Sequence, residues 1–304
     1  WRDWSSDVCS SDLAVMDLEI APTEHRGHAF ELGRRARREQ FGAVCTLGGD
    51  GTVNEAVNGM LCDGAGADVP RLMVVPGGSA NVFARSLGLP DDPVEATGLL
   101  LEAVREQRER VIGLGTAVVV DADGHTHPRR WFLANAGLGI DAEIIAAMEE
   151  QRSAGRSATP TRYLTTTLRQ YFLRTNRKEP ALTLVMPDED PTEGVFLAIV
   201  QNTSPWTYFG ALPVDPSPRA SFETGLDLFA IRTMGIAASV RAASRMVLRS
   251  EAGSTKRSIT SRHDLDRLLV RADPPVHLQV DGEGLGPVVE VTFESVPEAL
   301  RVLV

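Results

Sequence analysis

A glycine-rich turn between a strand pattern and a helical one constrains this chain more than any other feature: Leu47-Gly48-Gly49-Asp50-Gly51-Thr52-Val53-Asn54-Glu55. Glycines let a backbone approach an anion closely, and the amides at a helix start, backed by the helix dipole, donate to phosphate oxygens. Such a turn belongs to a βα unit, and stacked βα units build a mostly parallel sheet. Part of the string has an ordinary explanation. Thr52-x-x-Glu55 reads as a capping box, followed by an apolar stripe of Val53, Ala56, Val57, Met60 and Leu61. Capping does not explain the glycines around Asp50, an acid that is costly beside phosphate unless Mg²⁺ or a proton-transfer network uses it.

A second loop of the same kind follows the next strand pattern, Val75-Pro76-Gly77-Gly78-Ser79-Ala80-Asn81, leading to a short helix closed by Gly88 and Pro90. Two such loops at the carboxyl ends of successive strands define a crevice of the kind in which open α/β sheets bind ligands. Ser79 and Asn81 suit phosphate or ribose, and equally suit N-capping. Up to about residue 112 the periodicity predicts strands at 14–20, 41–47 and 72–76, with helices at 28–40 and 93–110. Beyond 113 it turns to short alternating segments. Strands are expected at 116–120 and 130–135 around an Asp123-Gly124 turn, then at 182–186, 195–201, 226–232, 267–272, 276–280 and 288–293. Helices are expected at 141–152, 161–174 and 237–250. The reading is therefore an α/β domain over 14–112 and a β-rich domain over 113–304, with the last segment able to return to the first domain. Residues 1–13, with no initiator Met and a repeated Ser-Ser-Asp, read as a non-native scar.

A formal charge of −10 argues against nucleic acid as a partner, because phosphate neutralisation needs an excess of Lys and Arg. The three cysteines show neither metal-ligand spacing nor a disulfide framework, which suits a reducing cytoplasm. Apolar runs are far shorter than the roughly 20 residues that cross a bilayer.

The pairing of GGDGTVNE with PGGSANVFARSLGLP resembles the diacylglycerol kinase catalytic superfamily, which includes bacterial lipid kinases and sphingosine and ceramide kinases. The resemblance extends through Asn135-Ala136-Gly137-Leu138-Gly139-Ile140-Asp141-Ala142, the 222–228 region and Val280-Asp281-Gly282-Glu283. It implies a three-layer α/β nucleotide-binding domain followed by a β-sandwich domain, a fold shared with NAD kinases, and an ATP- and Mg²⁺-dependent lipid kinase. It places nucleotide contacts at Thr23, Gly48, Gly49, Asp50, Gly51, Thr52, Asn54 and Glu55, and at Gly78, Ser79 and Asn81 of the second loop. Catalysis would fall to Asp50, to Glu283 as general base and to Asp281 in support. A plain hairpin turn is the residue-level alternative for Asp281-Gly282. In relatives a structural Mg²⁺ is held by a turn that corresponds to 221–227, where Thr224 replaces the aspartate, so an altered site is expected.

The resemblance also implies a lipid substrate, peripheral contact with the inner face of the membrane and, in some relatives, dimers. The stretch 162–178 mixes Tyr163, Leu168, Tyr171 and Phe172 with Arg162, Arg169, Arg174 and Lys178, which suits either an anionic membrane surface or a helix packed on the β domain. Metal binding by His125-x-His127 is not expected, since the pair lies beside a hairpin turn and is read as having no Cys or carboxylate that completes a ligand set. Two other readings stay open: a soluble-metabolite kinase akin to NAD kinases, and a non-catalytic nucleotide or lipid binder.

Overall fold

The structure is a computed structural model and describes residues 17–139, 180–209, 212–233 and 258–304, with Ser244 and Met246. The segment 1–13, the expected helices at 141–152 and 161–174, the rest of the one at 237–250 and the basic stretch 162–178 lie outside the described residues. Of the strand expected at 14–20, residues 17–20 have no regular secondary structure, and Leu18 and Ile20 are exposed. No neighbouring strand buries them.

Strands β1 (Ala43–Gly48) and β2 (Arg71–Pro76) pair in parallel, from Ala43 opposite Arg71 to Gly48 opposite Pro76. That register brings both glycine-rich loops to one sheet edge. Helix α1 (His28–Arg38) lies on α2 (Asp50–Met60) at a distance only glycine permits: a Cβ on Gly59 would fall 2.0 Å from the Phe30 carbonyl oxygen, and one on Gly33 2.3 Å from that of Ala56. Arg37 fastens the far end, donating to the Met60 and Gly64 carbonyls at 3.0 and 2.6 Å and so capping the last turn of α2. Next come α3 (Val82–Ser86) and α4 (Pro93–Glu106). Asp92 caps α4 by accepting from Val94 N and Glu95 N, with Pro93 in the first turn.

The helix expected to reach 110 stops at Glu106, with Gln107 left-handed at φ 53°. The chain then enters β3 (Glu109–Asp121), since Glu109 and Arg110 pair with Leu303 and Val302 of the last strand. A non-local ladder overrides the helical pattern there. β3 crosses residue 112 without a break.

After the Asp123-Gly124 turn come β4 (Arg130–Phe132), β5 (Asn135–Gly139), β6 (Leu182–Val185), β7 (Thr192–Val195) and β8 (Leu197–Gln201). A two-stranded hairpin, β9 (Thr207–Phe209) and β10 (Leu212–Val214), precedes β11 (Leu226–Ile231) and β12 (Ile259–Leu265). The two strands expected between 267 and 280 are one, β13 (Arg267–Val280), with a register shift between Arg271 and Val276. β14 (Glu283–Leu303) is much longer than the expected 288–293. Its first part pairs with β13, most of its length with β3, and Val302 lies parallel to Leu72 of β2. Among the described residues one sheet of twelve strands thus runs through the whole α/β structure.

Two cores flank it. The first gathers α2, β2, α3 and α4 with Trp131 and Leu133, and the second gathers Phe132, Leu138, Ala198, Leu228 and Phe293. Successive side chains of an extended segment point to opposite faces, so Trp131 and Leu133 enter one core and Phe132 the other. Residues 130–135 therefore straddle both halves.

Candidate active site

Gly49 caps α2 with extended backbone, and the two loops then touch: a Cβ on Gly78 would lie 2.6 Å from Gly49 Cα, and one on Gly77 3.2 Å from Gly48 Cα. Asp50, the first residue of α2, turns its carboxylate to the second loop and accepts from Val82 N and Phe83 N, both at 3.1 Å. It thereby caps α3 and ties loop to loop. Burial pushes the Asp50 carboxyl above its usual range, and these amides draw it back.

The capping box does not form. The helix begins at Asp50, which puts Thr52 in the third helical position, with Thr52 N and Val53 N both bonded to the Gly49 carbonyl. Glu55 instead accepts from Gly27 N at 3.0 Å, joining the start of α1 to α2. Asn81, left-handed at φ 48°, folds inward: its Oδ1 accepts from Gly78 N at 2.8 Å and its Nδ2 donates to Gly78 O and Asp91 Oδ1. It shapes the loop. Gly51, Gly78 and Ser79 are exposed on the two loops, and Thr23 is exposed in the segment leading into α1.

The acidic turn comes from the distant end of the chain. Asp281 and Gly282, at φ 46° and 80°, join β13 to β14. The Asp281 carboxylate accepts from Leu133 N, Ala134 N and Asn135 N at 2.7, 2.9 and 3.0 Å, and from Asn54 Nδ2 at 2.7 Å. Burial raises its carboxyl above the usual range while these four donors favour the anion. The turn is braced further: Gly282 N donates to Gln279 Oε1, and Gln279 Nε2 donates to Asn135 Oδ1. Asp281 is thus a pin between α2 and the β4–β5 segment.

Glu283 opens β14 with its side chain 27% exposed, one oxygen paired to Arg26 and the other to Arg130. Arg130 also donates to Asn54 Oδ1 at 3.3 Å. Asn54 therefore faces both members of the acidic pair. The sequence reading named Asn54, Asp281 and Glu283 but missed Arg26, Asn58, Arg130 and Trp131. Asn58 accepts from Trp131 N at 2.9 Å and donates to Trp131 O at 3.0 Å. One signal was available: asparagine is a poor helix former, and Asn54 and Asn58 share one face of a helix. Nothing in the sequence marked Arg26 or Arg130.

The exposed glycine-rich loops suit phosphate oxygens better than a bare cation. Each of the Asp50, Asp281 and Glu283 carboxylates is already engaged by N–H donors or guanidinium groups, so none is an open magnesium ligand. Elsewhere, the hairpin places Asp121 beside both histidines, with His127 Nε2 at 2.8 Å and His125 Nδ1 at 3.6 Å. A carboxylate does join them, contrary to the sequence reading. It comes from the adjoining strand end and already accepts from Asp123 N and His125 N. At 221–227, Thr224 Oγ1 donates to the Ser221 carbonyl, and Asp227 pairs with His263 Nδ1 at 2.7 Å.

Comparison with known proteins gives this arrangement a family. A protein of Chromohalobacter salexigens described as "Probable lipid kinase YegS-like" is 42% identical over 85 residues, and a diacylglycerol kinase of Staphylococcus aureus is 38% identical over 101. The matched stretches span 27% and 31% of those proteins and 28% and 33% of this chain. The crystal structure of a diacylglycerol kinase from Bacillus anthracis shares the fold, with a TM-score of 0.65 at 18% identity over 96% of this chain and 90% of that one. Residues 9–117, which begin inside the segment read as a scar, match the diacylglycerol kinase catalytic domain. Over that stretch the chain is similar to the diacylglycerol kinase catalytic-domain superfamily.

Proposed function

We propose that this chain transfers the γ-phosphoryl group of Mg·ATP to a hydroxyl of a diacylglycerol-like or sphingoid-like lipid at the cytoplasmic face of a membrane. The observation that carries the reading is Asn54, which joins the helix launched by the glycine-rich loop to Asp281 and, through Arg130, to Glu283. It brings a carboxylate from one end of the chain beside a phosphate-type loop from the other. The names of the relatives support a lipid acceptor.

Phosphoryl transfer asks little covalent work of a protein, so positioning and charge carry it. On this reading the glycine-rich loops would hold the triphosphate, and magnesium bound with it would neutralise its charge. Glu283 takes the proton of the acceptor hydroxyl as its oxygen bonds to the γ-phosphorus, and the bond to the departing ADP oxygen breaks. Among the described residues no helix is long and apolar enough to cross a membrane. We assign the basic stretch 162–178 to membrane contact, and changing Arg169 and Arg174 to Glu should reduce liposome binding.

The test is transfer of labelled γ-phosphate to lipids in mixed micelles, comparing the chain with Asp50→Ala and Glu283→Ala. A product that disappears in both variants supports the proposal and identifies the lipid. Nucleotide binding without transfer to any lipid would move the assignment to a metabolite kinase or a non-catalytic binder.

A further inference from the structure

Each Glu283 oxygen already accepts from a guanidinium, so an acceptor hydroxyl must compete with an arginine for the carboxylate. The two arginines differ in how they are held. Arg130 begins β4, whose next residues are fastened from both sides: Trp131 N and O bond to Asn58 and Asn54, and the amides of 133–135 hold Asp281. Its side chain is 26% exposed and also donates to Asn54. Arg26 stands in the turn ahead of α1 with a side chain 70% exposed. An exposed ion pair in water is weak and exchanges partners readily. Guanidinium pairs well with phosphate, which suits an exposed arginine here to an arriving polyphosphate.

We propose that Arg130 is a positioning residue that keeps Glu283 aimed during phosphoryl transfer, while Arg26 leaves Glu283 for the phosphates of the incoming nucleotide. The exchange uncovers one carboxylate oxygen for the acceptor hydroxyl. The other stays on Arg130. This assignment rests on the kinase reading above and deepens it: nucleotide binding readies the base.

The full chain is tested by steady-state lipid phosphorylation and, separately, by binding of a fluorescent trinitrophenyl-ATP. Arg130→Ala should lower kcat roughly a hundredfold, as small misplacements do, with nucleotide affinity within about threefold. Added guanidinium should restore part of the rate, and Arg130→Lys should recover less, because an ammonium cannot span Asn54 and Glu283 together. Arg26→Ala should weaken nucleotide binding about tenfold while kcat at saturation falls less than about threefold. If Arg130→Ala lowers the melting midpoint, Arg130→Gln is read by the same criteria.

A slow Arg130→Ala that guanidinium leaves unrescued at an unchanged melting midpoint would overturn the positioning role. Wild-type nucleotide affinity in Arg26→Ala would overturn the exchange. A wild-type chain that binds nucleotide but phosphorylates no lipid would remove the kinase reading and Arg130's role with it. The binding assay on Arg26→Ala decides the exchange even then.

Discussion

Asp281 and Asp50 look alike in the sequence, each an acid beside glycine in a turn, and the structure uses both as fasteners. Asp281 accepts from three successive backbone amides and from Asn54, an arrangement no turn pattern could reveal because the donors lie more than a hundred residues away. Asp281→Asn places an amide nitrogen against those donors. Hydrogen bonds to a charged group contribute about 1.5–3 kcal/mol, so the loss in urea unfolding should be about 3 kcal/mol. An unchanged midpoint with activity gone would instead make Asp281 a reacting group. Asp50 caps α3, and such a cap is worth about 1–2 kcal/mol. In Asp50→Ala the Val82 and Phe83 amides should therefore exchange with deuterium roughly tenfold faster. Equal exchange would show that the two loops hold together without the carboxylate. The glycine-rich strings were legible because their constraint is local, whereas the pairing of Glu283 with Arg26 and Arg130 was not, because it depends on three segments meeting.

Elements were readable where the pattern and the partner agree. β1 and β2 fall within a residue or two of their expected places, α2 follows the glycine-rich turn but starts at Asp50, ahead of the capping box read at Thr52, and the Asp123-Gly124 hairpin forms as read, with Gly124 at φ 84°. Readings failed where a remote strand decides. The ladder to β14 ends α4 early, and β12, a polar string with weak strand character, forms against β11 from Leu226 opposite Leu265 to Ile231 opposite Ile259. The close crossing of α1 and α2 was also invisible, and it yields a test by sign. Gly→Ala inside a helix ordinarily stabilises by about 0.5–1 kcal/mol. At Gly59 the new Cβ would fall 2.0 Å from the Phe30 carbonyl oxygen, so Gly59→Ala should destabilise by about 1–3 kcal/mol through overpacking. It should also weaken nucleotide binding, because α1 carries Gly27 onto Glu55. A more stable Gly59→Ala would mean that the helices do not pack this closely.

For the whole molecule the decisive fact is that the two cores are not separable in the chain. β3 and β14 run through both regions, and residues 131–133 send alternate side chains into each. Two independent domains would meet at a mobile linker, whereas here strand ladders and the Asp281 pin cross the border. Damage to one core should therefore be felt in the other. Phe293 is fully buried in the β-region core, edge-on to Phe132 with ring centroids 6.0 Å apart. Phe293→Ala should cost about 3–5 kcal/mol, the usual range for emptying a buried aromatic site. Helix α2 lies wholly in the other region, yet its slowest-exchanging amides should lose protection by the same amount as those of β8. Hydrogen exchange followed by mass spectrometry over 53–60 and 197–201 measures both in one experiment. Faster exchange confined to 197–201 would mean that the regions open separately, so that the acidic turn leaves the glycine-rich loops without global unfolding. Equal loss means that the site is assembled and lost with the fold, since Glu283 begins the same strand whose last residues complete the α/β sheet.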